Sequence, residues 1–496
     1  MRKLASLPWY PVALAGVIVF SAYLDSDVSA HAAVRPFVVV VAATAVLTVV
    51  AARLLGHTRG PIVVASLVLV VRSGDPLHAL IATLLVGLAG FTWLMARRIL
   101  PGVAVVRDPN RLLNSVTLVL LGSTLLTAAV TGTLGRIDLG QGRPFATVAT
   151  ANAEHPDSPD IYLVLLDGYP RADTLERLFD FDNADFIAQL RDRGFEIAGS
   201  SRSNYMYTGM SLSSVLHMQY VQEIPGAVGA RTPYGASLRT LINHNPVWDE
   251  LRSRGYLIAA NQAPWESVGM RDADLFCGDE INDFELYLLR VSLVGHLVDA
   301  VYPPFEANQH RDMINQAFDC LGQMSSPTSS PKFVFTHVGG PHLPVVFTES
   351  GAAAGRDVFG YTKQELKVSG ERFASAYAGE IEYLNQRTLE AVDRLLARPD
   401  APIVIVMSDH GSESRLNWTD ASRSDLQERF SNFFAYRTPS RPAVFGAGIT
   451  PINIFPILLD AYFGQNLPLV EDRFFVSPAN QTLKFTEIPD PAPPAS

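Results

Sequence analysis

Three apolar runs in this chain stop abruptly at residues that can hold a metal ion or move a proton. "DIYLVLLDG" ends at Asp167 and Gly168, "KFVFTHVGGPHLP" delivers His337 and then His342, and "APIVIVMSDHGSE" ends at Ser408, Asp409, His410 and Gly411. Taken singly, an Asp-Gly pair is most often a turn, and a lone histidine is a satisfied polar group. Three such endings in one chain point to a metal site. Carboxylate mixed with imidazole suits zinc or manganese better than calcium, which takes oxygen alone. Between the first and second runs lies "SRSNYMYTGMSLSSVLHMQY" at 201–220, rich in hydroxyls. A hydroxyl is a poor nucleophile at neutral pH until a dication stabilises its alkoxide; otherwise such a stretch is a polar loop and helix cap.

These groups need elements that bring them to one place. The runs Ile161–Leu166, 333–336 and 402–407 are short and continuously apolar, as strands buried on both faces are. Between them stand helical patterns, "NADFIAQLRDRG", "PVWDELRSRG" and "ERFASAYAGEIEYLNQRTLEAVDRLLAR", the first two closing on glycine, a common helix stop. Strands alternating with helices predict an α/β domain with a mostly parallel central sheet flanked by helices. In such sheets ligands sit beyond the carboxyl ends of the strands, which is where all three chemical endings fall.

The first 135 residues obey a different solvent. Apolar stretches at 9–24, 36–52, 61–71, 77–96 and 112–134 predict about five transmembrane helices, the third of them short. If all five cross, Arg2 and Lys3, then Arg53 and Arg59, then Arg97, Arg98, Arg107 and Arg111 share the cytoplasmic face, which places everything after residue 135 outside. Residues 9–24 with "VSA" at 28–30 also fit a signal peptide, whose removal leaves the later domain on the same side. The expected organisation is a transmembrane region at 1–135, a linker at 136–158, a catalytic domain at 159–470 and a proline-rich tail at 471–496. The two cysteines, Cys277 and Cys320, fall in the external part, where a bridge can persist, and the alternative is two buried thiols. A net charge of -10 and the lack of a basic run argue against nucleic acid as a partner.

"LLDGYPRADTL", "THVGGPHLP" and "MSDHGSE", in this order, resemble the sulfatase-like branch of the alkaline phosphatase superfamily. With a multi-span N-terminal region, the chain is similar to membrane-anchored phosphoglycerol and phosphoethanolamine transferases and lipoteichoic acid synthases. The resemblance implies an alkaline-phosphatase-like domain with one divalent metal, zinc or manganese, and room for a second. Its ligands would be Asp167, Thr208, Asp409 and His410, with Asp167 standing where those branches often have glutamate. "TGMS" at 208–211 is similar to the nucleophile stretch T-A-x-S of the phosphotransferases, so Thr208 is the expected nucleophile, with Ser211 and Ser213 as rivals. His342 is the expected acid for the leaving group, and His337 and Asn204 are expected to bind substrate. The implied function is a phosphotransferase or phosphoric ester hydrolase of the plasma membrane, multi-pass, with its catalytic domain extracytoplasmic. Its partners would be the lipid bilayer and a phospholipid or envelope glycan. Sulfuric ester hydrolysis is the alternative reaction, disfavoured because no C/S-x-P-S-R pattern for formylglycine occurs. A catalytically idle envelope-binding domain is the alternative class.

Overall fold

A computed structural model of the protein describes residues 7–24, 26, 28, 30–72, 95, 98–99, 109–130, 158–225, 234–278, 281–301, 305–362, 365, 366, 368, 370–398 and 400–491. The fourth expected span at 77–96, save Met95, and the linker as far as residue 157 lie outside the described residues. The chain divides into two compact units: Met1–Leu139 with Ile281–Phe305, and Gly140–Glu280 with Glu306–Ser496. The unit that holds the three strand-end motifs is therefore interrupted. The expectation of an unbroken domain over 159–470 is corrected at 281–305, which packs with the N-terminal helices instead.

The N-terminal unit holds helices α1 (Tyr10–Leu24), α2 (Ala30–Leu55), α3 (Arg59–Arg72) and α4 (Pro109–Val130), and α1 packs against the other three. Among the described residues, two helices, Ala32–Leu55 and Pro109–Val130, are long and apolar enough to cross a bilayer. At 1.5 Å per residue, the 14 residues of α3 fall short of the roughly 30 Å hydrocarbon thickness. The polar Asn114 in α4 closes onto the chain start, accepting from the Tyr10 N–H at 3.1 Å and donating to the Leu7 carbonyl at 2.8 Å.

The catalytic unit is built on a seven-stranded sheet: β1 (Ile161–Leu166), β2 (Glu196–Ile197), β3 (Leu257–Asn261), β4 (Leu275–Cys277), β5 (Lys332–Val338), β6 (Ile403–Met407) and β7 (Phe434–Arg437). Their order is β2-β7-β6-β1-β5-β3-β4. The five strands from β6 to β4 are parallel, and β7 and β2 close one edge antiparallel. Its helices are α5 (Ala172–Phe179), α6 (Ala184–Asp192), α7 (Thr208–His217), α8 (Tyr234–Asn243) and α9 (Pro246–Ser253). After the interruption, which carries α10 (Asp283–Arg290) and α11 (Leu293–Val301), follow α12 (Phe305–Met324), α13 (Glu371–Leu396), α14 (Leu426–Phe430) and α15 (Ile454–Phe463).

The apolar continuity of β1 has its reason in the two cores it serves. Tyr162, Val164 and Leu166 pack with residues of α5, α6, α12 and α13, whereas Ile161, Leu163 and Leu165 pack with residues of α7, α8, α9 and α15. The two similar helix-to-strand units end alike, at Gly194 and Gly255 with φ of 80° and 81°. Their strands differ: Leu257–Asn261 enters the parallel interior, while Glu196–Ile197 is a two-residue antiparallel edge.

The expected tail boundary at 471 is also corrected. Strands β8 (Phe474–Val476) and β9 (Thr486–Ile488) pair antiparallel, and Phe474 and Phe475 are buried in a cluster with Tyr205, Tyr220 and Phe430. Burying aromatic surface of this size fixes the segment to the domain. Cys277 of β4 and Cys320 of α12 are joined as a disulfide.

Candidate metal centre

The parallel register carries the three chemical endings to one edge. Leu165 of β1 sits beside His337 of β5 and beside Met407 of β6, so Asp167, His337 and Asp409 leave adjacent strands at nearly the same level. Asp167 is tied to the end of β5 and the loop beyond it: its N–H donates to the Val338 carbonyl, and its own carbonyl accepts from the His342 N–H, each at 3.0 Å. Gly168 takes φ of 70°, and a Cβ there would lie 3.6 Å from the His410 ring, so the turn packs backbone against imidazole. Beyond β6, Gly411 serves as a close-approach residue. A side chain would meet the Glu428 carbonyl at 2.0 Å, and the Gly411 N–H donates to the Arg429 carbonyl at 2.7 Å. Glu428, buried, holds the rest of this loop by accepting from Ser412 Oγ, Ser414 N–H and Arg415 N–H at 2.6–2.9 Å.

Each of the two carboxylates has one oxygen pinned and one left over. Asp167 Oδ2 accepts from His337 Nε2 at 3.0 Å, and Asp409 Oδ1 accepts from the Gly168 N–H at 3.2 Å. The remaining oxygens, Asp167 Oδ1 and Asp409 Oδ2, are buried without a hydrogen bond. His410 donates its Nδ1–H to the Gly411 carbonyl at 3.0 Å, which leaves the Nε2 lone pair facing the same place. Ligand atoms of Asp167, Asp409 and His410 lie within 4.8 Å of one another. Two unpartnered carboxylate oxygens and an imidazole lone pair, all buried, form a donor set that fits a divalent cation of the zinc or manganese type.

Electrostatics agree with that donor set. Burial and then the Asp167 carboxylate push the Asp409 pKa up to about 6, because two carboxylates face each other out of water. For Asp167, burial works against ionisation, but the His342 charge and the hydrogen bond from His337 outweigh it and hold the carboxyl well below the usual range. Burial and the Arg429 guanidinium push the His410 imidazole far down, so it is neutral, the state in which it ligates a metal.

Thr208 is the first residue of α7, and its Oγ1 donates to His410 Nε2 at 3.2 Å. The rival hydroxyls are placed differently. Ser213 Oγ donates to the Gly209 carbonyl at 2.6 Å within its own helix, while Ser211 Oγ is buried without a partner. His342 donates Nδ1–H to the Leu343 carbonyl at 2.9 Å and presents Nε2 toward Glu413 Oε2, 3.5 Å away. Burial disfavours its charge, but the Glu413 and Asp167 carboxylates prevail and raise its pKa above the ordinary imidazole value. His337 lies behind Asp167 as its orienting partner, with its backbone locked to the Asn261 amide at 2.7 and 3.0 Å. Asn204 is not brought to the cluster. Its amide is consumed by the Arg473 carbonyl at 3.1 Å, the Tyr220 hydroxyl and the Ile452 N–H, which makes it a clamp between segments and corrects its assignment to substrate.

Two residues at the site carry no role in the sequence reading. Arg429, buried, donates to His410 Nε2 at 3.1 Å, to the Met206 carbonyl at 2.7 Å and to the Gly411 carbonyl at 3.2 Å. Glu413, 7% exposed, lies 3.7 Å from Arg429 and has neither oxygen hydrogen-bonded. Both line a small cleft with Gly168, His342, Phe373 and Tyr377. Glu413 was signalled by the Asp-His-Gly-x-Glu spacing, whereas nothing local marks Arg429, 19 residues beyond His410.

With this geometry in place, residues 267–464 match the family model Sulfatase. The match contains the second and third strand-end motifs, while the first motif and Thr208 precede it. No curated protein sequence matches the chain. Solved structures similar to it include the C-terminal periplasmic domain of EcEptC from Escherichia coli, 11% identical with a TM-score of 0.43, over 68% of this chain and 96% of that one. The same domain in complex with Zn is 10% identical with a TM-score of 0.45, over the same shares. Phosphonate monoester hydrolase of Agrobacterium radiobacter is 14% identical with a TM-score of 0.41, over 64% of this chain and 80% of that one.

Proposed function

We propose that this chain is a membrane-anchored, metal-dependent phosphotransferase or phosphoric ester hydrolase. In this reading Thr208 is the nucleophile, and lipid-linked or envelope substrates are handled on the extracytoplasmic side of the plasma membrane. The observation that carries it is the position of one hydroxyl. Thr208 Oγ1 stands at a helix start, 3.2 Å from His410 Nε2, where the unpartnered oxygens of Asp167 and Asp409 converge. A zinc or manganese ion held by Asp167, Asp409, His410 and Thr208 would supply the charge that favours a threonine alkoxide and offsets charge on the phosphoryl group.

Thr208 Oγ1 attacks phosphorus in line, and the bond to the leaving oxygen breaks as the Oγ1–P bond forms. The amino end of α7 faces the anionic group, which a helix start favours. His342, whose Nε2 faces Glu413 Oε2 at 3.5 Å, gives its Nε2 proton to the leaving oxygen. An acceptor alcohol or water then attacks phosphorus, the P–Oγ1 bond breaks to release the Thr208 oxygen, and the acceptor's proton passes to His342. Two in-line displacements leave the configuration at phosphorus retained. A threonine cannot become formylglycine, which counts against sulfuric ester hydrolysis, and a site this fully assembled counts against an idle domain. The two apolar helices among the described residues support anchoring beside a phospholipid donor.

The test is to trap the intermediate with a slow phosphodiester and map the phosphopeptide. Phosphate is expected on Thr208, and Thr208→Ala is expected to lose roughly a million-fold in turnover, as removal of an activated hydroxyl nucleophile does, with Thr208→Ser keeping part of the activity. Phosphate on Ser211 or Ser213, or near-normal turnover by Thr208→Ala, would refute the mechanism.

A further inference from the structure

The interruption at Ile281–Phe305 has the surface of a different kind of protein from the unit it interrupts. Among the described residues of the catalytic unit, one large apolar side chain, Leu469, is exposed. The short helices α10 and α11 expose five large apolar side chains: Tyr287 on the first and Val291 at its C-cap, then Val294, Leu297 and Val301 on the second, with Leu297 at 58% and Val301 at 85% exposed. Positions i and i+4, then i, i+3 and i+7, place each set on one face of its helix. The charged Arg290 and the polar Ser292 between them make the segment too polar and too short to span a bilayer.

What the opposite face touches is definite. Phe284, 1% exposed, is buried with Val19, Tyr23, Ala32 and Ala33 at the end of α1 and the start of α2. Asn282 caps α10 by accepting from the Glu285 N–H at 3.0 Å, and its amide donates to the Ala32 carbonyl at 3.2 Å. Arg35 of α2 donates to both carboxylate oxygens of Glu285, through Nε at 2.6 Å and through Nη2. Helix α11 packs against α3. The two helices meet closely, since a side chain on Gly295 would fall 2.0 Å from the Leu289 carbonyl. The exposed apolar row therefore belongs to the helix unit, whose α2 and α4 also expose Val39, Val46, Val119 and Leu126.

We infer that α10 and α11 form an interfacial hairpin that lies in the headgroup layer of the outer leaflet, with Val294, Leu297 and Val301 in the acyl boundary. Tyr287 suits that depth, where aromatic rings with a polar tip accumulate. The inference rests on the membrane reading above and adds a second lipid contact, one supplied from within the catalytic sequence. The Cys277–Cys320 disulfide closes the loop that carries the hairpin, so the bond spans the two points where the chain departs from and returns to the catalytic unit.

The experiment uses the full chain in phosphatidylcholine–phosphatidylglycerol nanodiscs, with an environment-sensitive fluorophore placed on Leu297→Cys or Val301→Cys and the native disulfide left oxidised. Val119→Cys in α4 serves as the lipid-facing reference and Leu469→Cys as the water-facing one. Labels at both hairpin positions are expected to emit blue-shifted, to be quenched by lipids carrying a nitroxide near the headgroup, and to resist aqueous iodide. Quenching by iodide as complete as at Leu469→Cys, while Val119→Cys answers to the lipid quencher, would overturn the hairpin and leave the anchoring intact. If Val119→Cys also answers to iodide, the anchoring reading falls and the hairpin falls with it. Shielding of both hairpin labels from both quenchers would mean that protein covers this face, and would equally overturn the inference.

Discussion

Glu380 offers a test in which the sign and the size both follow from the structure. It sits in α13, fully buried, and its Oε2 accepts from the N–H groups of Val346 and Phe347 at 2.5 and 3.0 Å, while Oε1 has no partner. Those residues belong to the loop that carries His342. Burial raises the carboxyl from 4.5 to about 7, against the lowering effect of the two backbone donors. The folded protein therefore keeps a proton that the unfolded chain has released. The associated stability is fully present below pH 4.5, is lost as pH rises toward 7, and then stays lost. At 1.36 kcal/mol per pH unit the loss amounts to about 3 kcal/mol. Glu380→Gln keeps an acceptor for the two N–H groups and removes the ionisation. Wild type and variant should then unfold at similar temperatures at pH 5, and the variant should be the more stable at pH 8, by on the order of 5 °C. Differential scanning fluorimetry of both proteins across that range reads the difference directly, and other titrating groups cancel in it. A difference that does not change with pH would show that Glu380 is ionised in the fold at all these pH values, and would refute the reasoning.

His342 as proton donor predicts that His342→Ala loses about 10²- to 10⁴-fold in turnover of esters with poor leaving groups, and far less with a nitrophenolate leaving group, measured by initial rates on matched substrates. The disulfide closes a loop of sequence separation 43. Paired Cys277→Ser and Cys320→Ser substitution should cost about 4 kcal/mol in the chain-entropy account, read as a lower unfolding midpoint in denaturant, and an unchanged midpoint would contradict it.

Much of the site was legible because its determinants are local. An apolar run long enough for one strand, broken by Asp167, by His337 or by Asp409 and His410, announces both the strand and the group at its end, and parallel topology then dictates a common edge. Thr208 was singled out not by local logic but by the likeness of "TGMS" to the nucleophile stretch T-A-x-S, and the structure places it as the first residue of α7. The sequence reading misplaced Asn204, whose amide is claimed by segments near Ile452 and Arg473, far along the chain. It gave no role to Arg429, which reaches His410 only because α14 backs the Gly411 loop. It likewise ran the catalytic domain straight through 281–305 and ended it at 471, because short amphipathic helices and a late pair of strands have the same composition wherever they dock. By itself the sequence determined which side chains could bind a metal and that strands would present them. Tertiary structure decided which oxygen of each carboxylate is left free, which nitrogen of His410 faces it, and which surface is covered. Those outcomes depend on hydrogen bonds and packing between segments up to about 250 residues apart, and no local pattern of residues encodes them.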